Sequence, residues 1–334
     1  MKKNYSKVIL ISSLLFILFF IGNSFAQLNG TKTIPGDYTT IEAAINALDT
    51  LGVGPGGVIF NVAAGHTETF SSDSSGKISA TGTVANPIVF QKSGVGANPK
   101  ITAATGTGTR DAVIILKGGD YFTFDGIDVA ENPFNTDNVT RMEWGYALLK
   151  KSTLAPANGC NFISIRNSTI TLDKLNTATW GIYAANHTDT ATTSSTMTDS
   201  SDVMSYCKFD NNTIDSYNGI RIISSTTAGF FGKGNEIGVI AGNYILSYGN
   251  GTATAYGMNI EYQDYLKIAR NSVNGGGASQ TGIIYGIRTG SGTNSNVDIY
   301  LNSVTVTQSG TSLIYAIVNS MGSSGENNTV NIYN

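Results

Sequence analysis

The sequence predicts an all-β fold, a solenoid of stacked coils preceded by an N-terminal amphipathic helix. Three observations predict it. Tyr265-Leu-Lys-Ile-Ala-Arg-Asn-Ser-Val273 returns as Asn296-Val-Asp-Ile-Tyr-Leu-Asn-Ser-Val304, a step of 31 residues. Ile283-Ile-Tyr-Gly-Ile287 returns as Leu313-Ile-Tyr-Ala-Ile317 at a step of 30. Two short apolar runs repeating together at about thirty residues mark a chain that stacks one coil per repeat. Third, the polar residues are mostly Asn, Ser and Thr, and only 13% are charged. Uncharged polar side chains stack on like neighbours in adjacent coils without the repulsion of like charges.

The bulk numbers set limits. A length of 334 residues suits one long repeat domain. A net charge of −3 without a basic face argues against nucleic acid as a partner. With 41% hydrophobic and 10% aromatic residues the chain is not disordered.

Residues 1–26 read as a signal peptide. Lys2, Lys3 and Lys7 are the basic n-region, Val8–Ile21 the apolar h-region, and Ser24-Phe25-Ala26 the cleavage pattern. The apolar run is short for a bilayer span of about 20 residues, so no retained membrane segment is expected. The implied location is secreted or at the outer cell surface, with the mature chain starting at Gln27. Residues 27–55 are expected to form an N-terminal cap. There Pro35-Gly36-Asp37-Tyr38 makes a turn, and Thr39-x-x-Glu42 reads as a capping box. Ile41, Ile45 and Leu48 at helical spacing then predict a helix over Thr40–Leu51, closed by Gly52 and covering the first coil.

The solenoid is expected over 56–334. Gly56-Gly-Val-Ile-Phe-Asn-Val62, Pro87-Ile-Val-Phe90, Lys100-Ile-Thr102 and Ala112-Val-Ile-Ile-Leu116 are its first strands. A closing apolar residue then recurs as Ile127, Ile170, Ile214, Ile245, Val273 and Val304. Five residues before it, from Ile170 on, stand Ile165, Phe209, Ile240, Ile268 and Ile299, expected inside the coil. Two before it stand Ser168, Asn212, Asn243, Asn271 and Asn302, expected to stack and to supply a left-handed corner. Each buried Ile or Phe contributes about 1.5–3 kcal/mol. Asp189–Ser201 is a Ser/Thr-rich loop inserted in one long coil. Cys160 and Cys207 lie near the starts of successive units, where either a disulfide or two buried thiols would fit.

This pattern resembles the right-handed parallel β-helix of the pectin-lyase-like superfamily, in which a single strand winds coil after coil. The opening resembles large secreted β-helix surface proteins of the type IX secretion kind. Ile34-Pro-Gly-Asp-Tyr-Thr-Thr-Ile-Glu-Ala-Ala-Ile45, Gly57-Val-Ile-Phe-Asn-Val-Ala-Ala-Gly65 and Asn86-Pro-Ile-Val-Phe-Gln-Lys-Ser-Gly94 carry that likeness. It implies a C-terminal sorting domain read by a secretion machinery. Val330-Asn-Ile-Tyr-Asn334 echoes Val297-Asp-Ile-Tyr-Leu301, so the sequence is expected to stop in mid-coil, without that domain.

The superfamily resemblance also raises polysaccharide cleavage. A hydrolase needs two facing carboxylates. A lyase needs a base of lowered pKa, and Ca2+ would enter only under that alternative. Asp125, Arg166 and Asp210 are candidate catalytic residues on three successive coils, allowing a two-residue gap after Asp125. A paired charge ladder is the plainer reading, because surface ion pairs are common and weak. Asn135-Thr-Asp137 resembles a polygalacturonase triplet, but its companion motifs and the Arg-x-Pro-x-x-Arg of pectate lyases do not occur. His66 and His187 lack neighbours that would make a nucleophilic or metal site. No metal site is expected.

Tyr183, Arg221, Asn259 and Arg288 each follow a Gly-Ile or Gly-Met pair and are candidate ligand-binding residues along one outer face. Only 6 residues separate Ile214 from Ile220, against 14 from Val273 to Ile287, which leaves the face of Arg221 open. The preferred function is an exported, non-catalytic, adhesin-like or glycan-binding scaffold. The alternative is a polysaccharide lyase or glycoside hydrolase with a divergent site. The expected partner is a polysaccharide or cell-surface glycan.

Overall fold

A computed structural model describes residues 26–226, 229–322 and 327–334. The segment before residue 26, expected from sequence to be a signal peptide, lies outside the described residues. The chain is an all-β parallel solenoid. Each coil places one strand in each of three sheets, of ten, eight and eight strands. The ten-stranded sheet begins with Leu28–Ile34 and Val53–Ala63 and ends with Asn296–Tyr300 and Thr329–Tyr333. One eight-stranded sheet runs from Thr67–Thr69 to Ser303–Thr307, the other from Lys77–Ile78 to Ile314–Ser320. We call these the first, second and third sheets.

The echoes in the sequence are the register of the coils. Leu266 pairs with Val297 and Ile268 with Ile299 in the first sheet. Val273 pairs with Val304 in the second, and Ile287 with Ile317 in the third. Inward side chains of all three sheets merge in one apolar core, with Phe60, Phe90 and Phe124 stacked along it. Among the described residues no helix is long and apolar enough to cross a membrane.

Two interior assignments shift. Ile240 is exposed, and Ile237 takes the inward place, paired with Phe209 and Ile268. From Ile237 to Asn243 is six residues, where Phe209 to Asn212 is three, so three extra residues bulge out at that corner. Likewise Val129, not Ile127, pairs with Ile170. Asp125 then stands four before its closing residue, as Arg166 and Asp210 do, and the assumed gap vanishes.

The Asn residues form a buried ladder. The Asn212, Asn243 and Asn271 amides each donate to the Oδ1 of the next Asn, at 3.0, 2.9 and 2.9 Å. Each receiving Oδ1 also accepts the backbone N–H of the preceding Asn, at 3.0 Å every time. The left-handed corner residues are not the ladder side chains but the residues before Ser168, Asn212, Asn271 and Asn302, namely Asn167, Asn211, Arg270 and Leu301, with φ of 57, 53, 59 and 55°. The ladder position is chosen for its amide, since a corner already turned by its neighbour needs no special φ.

The N-terminal helix spans Ile41–Leu51 and ends at Gly52, whose N–H reaches the Leu48 carbonyl at 2.8 Å. Ile41, Ala44, Ile45 and Leu48 are buried in the common core. Its cap differs from the expected box. Thr40, not Thr39, is the N-cap, accepting from the Ala43 N–H at 3.0 Å. The Glu42 carboxylate leaves the helix to accept from Ser71 and Ser75. Glu68 fills the helix start instead, taking the N–H groups of Ile41 and Glu42 at 2.6 and 3.0 Å. A carboxylate there satisfies orphan donors and meets the positive end of the helix dipole.

Candidate functional site

The third sheet brings all four candidate ligand-binding residues into one row. Tyr183 pairs with Arg221, Arg221 with Asn259, and Asn259 with Arg288. Turn length between sheets varies from coil to coil while strand register does not, so residue counts across a corner misjudge the face of Arg221. Three positions before this row runs a second one, Trp180, Asn218, Tyr256, Tyr285 and Tyr315. Its rings stack, with centroids 4.9 Å apart from Tyr256 to Tyr285 and 5.0 Å from Tyr285 to Tyr315. These three tyrosines are half-buried.

The two arginines differ. Arg288 donates to Asn259 Oδ1 at 2.6 Å and pairs with the Glu261 carboxylate. Arg221 makes no ion pair, and its buried Nε has no hydrogen-bond partner among the described residues. Its guanidinium lies 5.7 Å from the Trp180 ring and 5.3 Å from that of Tyr183. Aromatic faces stabilise the cation without neutralising it.

The Tyr183 end of the row is closed. The Ser/Thr-rich insertion folds back over the outer sheet face instead of standing free. Lys117 pairs with Asp189 at 3.2 Å, Arg110 donates to the Asp189 and Thr190 carbonyls, and Ser195 Oγ donates to the Ser152 carbonyl at 2.9 Å. Trp144, stacked on Tyr183 at 4.1 Å, is thereby buried with it. His187 Nδ1 donates to the Thr188 carbonyl at 2.7 Å, which leaves Nε2 to accept from the Tyr183 hydroxyl at 2.9 Å. Burial holds the His187 pKa below the usual value, and the charges of Arg221 and Arg110 add to that.

Asp125, Arg166 and Asp210 are in register on the outer face of the first sheet. Arg166 Nε binds Asp125 Oδ2 at 3.0 Å, and Asn167 holds the other Asp125 oxygen. Asp210 is buried, accepts the Ile240 N–H at 3.0 Å, and has its pKa raised by that burial. The row is therefore one ion pair beside one sequestered carboxyl. Asn135 and Asp137 shape their own turn, through bonds to Thr140 and Val139. His66 binds Glu68 at 2.8 Å and so supports the helix cap.

Sequence reasoning passed over Glu143 and Lys150. Glu143 is buried, and desolvation pushes its pKa up to about 7. Its two oxygens accept from the Asp111 N–H and from Asn176 Nδ2, each at 3.1 Å. The available signal was a lone Glu directly before the apolar strand Trp144–Leu149. Lys150 is buried near Cys160 and Cys207, and burial lowers its pKa to about 8. Both thiols are buried and unbonded, and burial raises their pKa values. Among the described residues no three His, Cys, Asp or Glu side chains converge to hold a metal.

No family model matches the chain, and no curated protein does. Among solved structures it is similar to an alginate lyase from a Paenibacillus species, at 14% identity and a TM-score of 0.41 over 86% of this chain and 95% of that one. It is also similar to the pectin methylesterase of Aspergillus niger, at 13% identity and 0.43 over 90% and 88%. The surface protein and adhesin PfbA of Streptococcus pneumoniae gives 12% and 0.36 over 93% and 99%. No residue is carried over from these proteins, and the fold of this chain is read from its own strand register.

Proposed function

We propose that the protein is an exported, non-catalytic scaffold that binds an acidic polysaccharide along the outer face of its third sheet. The observation that carries this reading is Arg221, a cation close to two aromatic rings with no carboxylate partner among the described residues. A buried nitrogen without a partner is costly, and the half-buried cation that carries it has no counter-charge among the described residues. A carboxylate or sulfate on a sugar chain would supply the missing counter-charge. The stacked, half-buried Tyr256, Tyr285 and Tyr315 run from coil to coil on the same sheet, the direction in which such a chain would lie. Export rests on the sequence of residues 1–26. The test is binding of the protein to immobilised acidic and neutral polysaccharides, with product absorbance and reducing ends followed in parallel. Retention on acidic glycans without turnover, lost in Arg221→Ala, is the expected result. Turnover would sink the non-catalytic part.

A second reading, as a polysaccharide-cleaving enzyme, is favoured by Glu143, a carboxyl still partly protonated at neutral pH beside Asp111. General acids are tuned this way. Both Glu143 oxygens are already engaged by the chain, which is why binding is preferred.

A further inference from the structure

The corner that leads into the first sheet carries an unusual run of residues. Tyr121, Phe162 and Tyr206 occupy the same place on three successive coils, each with left-handed backbone, at φ of 54, 57 and 58°. Bulky side chains are strained there, and Gly is the unstrained choice. The next coil shows that choice, with Gly234 at φ 64° in the equivalent position. Their rings stack at 4.5 and 4.9 Å, yet Phe162 and Tyr206 remain 42% and 48% exposed. Buried apolar packing therefore does not account for them.

Beside these rings lies a cleft of about 320 Å³. Ser201, at the end of the Ser/Thr-rich insertion, lines it together with Lys233 and Asp120. The Tyr121 and Tyr206 hydroxyls make no hydrogen bond, and Lys233 no ion pair, among the described residues. Asp120 offers a carboxylate whose Oδ1 already accepts the Asn161 N–H at 2.7 Å.

We infer that this cleft is a second carbohydrate site, which takes one neutral pyranose unit against the Phe162 and Tyr206 side chains, whose ring faces are already occupied by the stack. The size sits at the small end for ligand pockets, which begin near about 300 Å³. Asp120 disfavours an anionic sugar and Lys233 a cationic one, while hydroxyl groups satisfy both. The inference extends the glycan-binding reading to a site separate from the Arg221 row.

The experiment is calorimetric titration of the full chain with neutral oligosaccharides (cello-, xylo-, manno- and laminari-hexaose) and with an acidic one, oligogalacturonate. At least one neutral sugar is expected to bind, with affinity falling about tenfold or more in Phe162→Gly and Tyr206→Gly. Ser201→Phe, which adds bulk at a lining residue outside the aromatic corner, is expected to give the same loss if the Gly variants fail to fold. Neutral binding that survives in these variants overturns the inference. So does a protein that binds only oligogalacturonate, an outcome that leaves the Arg221 reading standing. Failure to bind any sugar removes both.

Discussion

Arg221 sets its guanidinium 5.3 Å from the ring of Tyr183, its neighbour on the preceding coil, and among the described residues no carboxylate pairs with that guanidinium. Next along the row, Arg288 is neutralised by Glu261 and Asn259. The unpaired cation is thus confined to one coil, at the edge of the Ser/Thr-rich insertion.

Arg221→Ala is expected to weaken acidic-glycan binding about ten- to hundredfold, the worth of one or two charge-assisted hydrogen bonds. Stability should change little or rise, because the substitution removes an unsatisfied buried nitrogen. Arg221→Lys should recover only part of the affinity, since an ammonium cannot make the planar two-pronged contact. Binding isotherms with melting curves on the three proteins check this, and an unchanged affinity in Arg221→Ala would remove the row from the function.

The Asn ladder predicts a stability gradient. Asn243 is fully buried and serves the Asn212 N–H, the Asn212 amide, the Phe209 carbonyl and the Asn271 side chain. Asn243→Ala should cost about 2–4 kcal/mol, since each orphaned buried group costs about 1–3 kcal/mol. Asn302 is only half-buried, so water can replace its amide and Asn302→Ala should cost less. Urea unfolding of both variants gives the comparison, and equal losses would contradict the ladder account.

These residues also show what was legible. The repeat of Asn-Ser-Val at Val273 and Val304 gave the register, because identical coils must present identical side chains inward. Ile127 and Ile240 were misplaced because a corner tolerates added residues and leaves no mark in an apolar pattern. The Arg221 row was visible only as an option, because register holds within a sheet while corner lengths vary. The helix cap was misread because the carboxylate that completes it, Glu68, lies 26 residues beyond Glu42. The covering insertion, Glu143 and the strained aromatic corner depend on long-range packing and backbone sign, neither of which a local sequence pattern encodes.

Glu143 predicts a pH dependence. Its folded pKa of about 7 stands above the ordinary 4.5, so the folded state holds the proton more tightly. Below pH 4.5 the group is protonated in both states and costs nothing. As pH rises from 4.5 to about 7 the unfolded state releases its proton first, and stability falls by at most about 3 kcal/mol. His187, with its lowered pKa, acts oppositely below the usual histidine range. Subtracting the stability–pH curve of Glu143→Gln from that of the parent isolates the Glu143 part. A difference that does not vary between pH 4.5 and 7 would show that the carboxyl is not desolvated as described.

Asp210 separates the scaffold reading from the enzyme reading. It sits one coil from Arg166, but Arg166 is bound to Asp125, and Asp210 instead accepts the Ile240 N–H where the extra corner residues bulge. An amide oxygen keeps that acceptor, so Asp210→Asn preserves the corner while relieving a buried carboxyl whose pKa is raised. Stability near neutral pH is therefore expected to stay level or rise slightly. The Asp125–Arg166 pair, with Arg166 45% exposed, is worth less than about 1 kcal/mol, and Asp125→Asn should be nearly silent as well. Polysaccharide binding should survive both changes, because the unpaired cation lies on a different sheet. If the protein instead releases reducing ends or unsaturated products, and Asp210→Asn abolishes that turnover without loss of fold, then this row is an active site. A buried carboxyl next to an arginine would then be the general acid or base, and the Arg221 row its substrate-holding subsite.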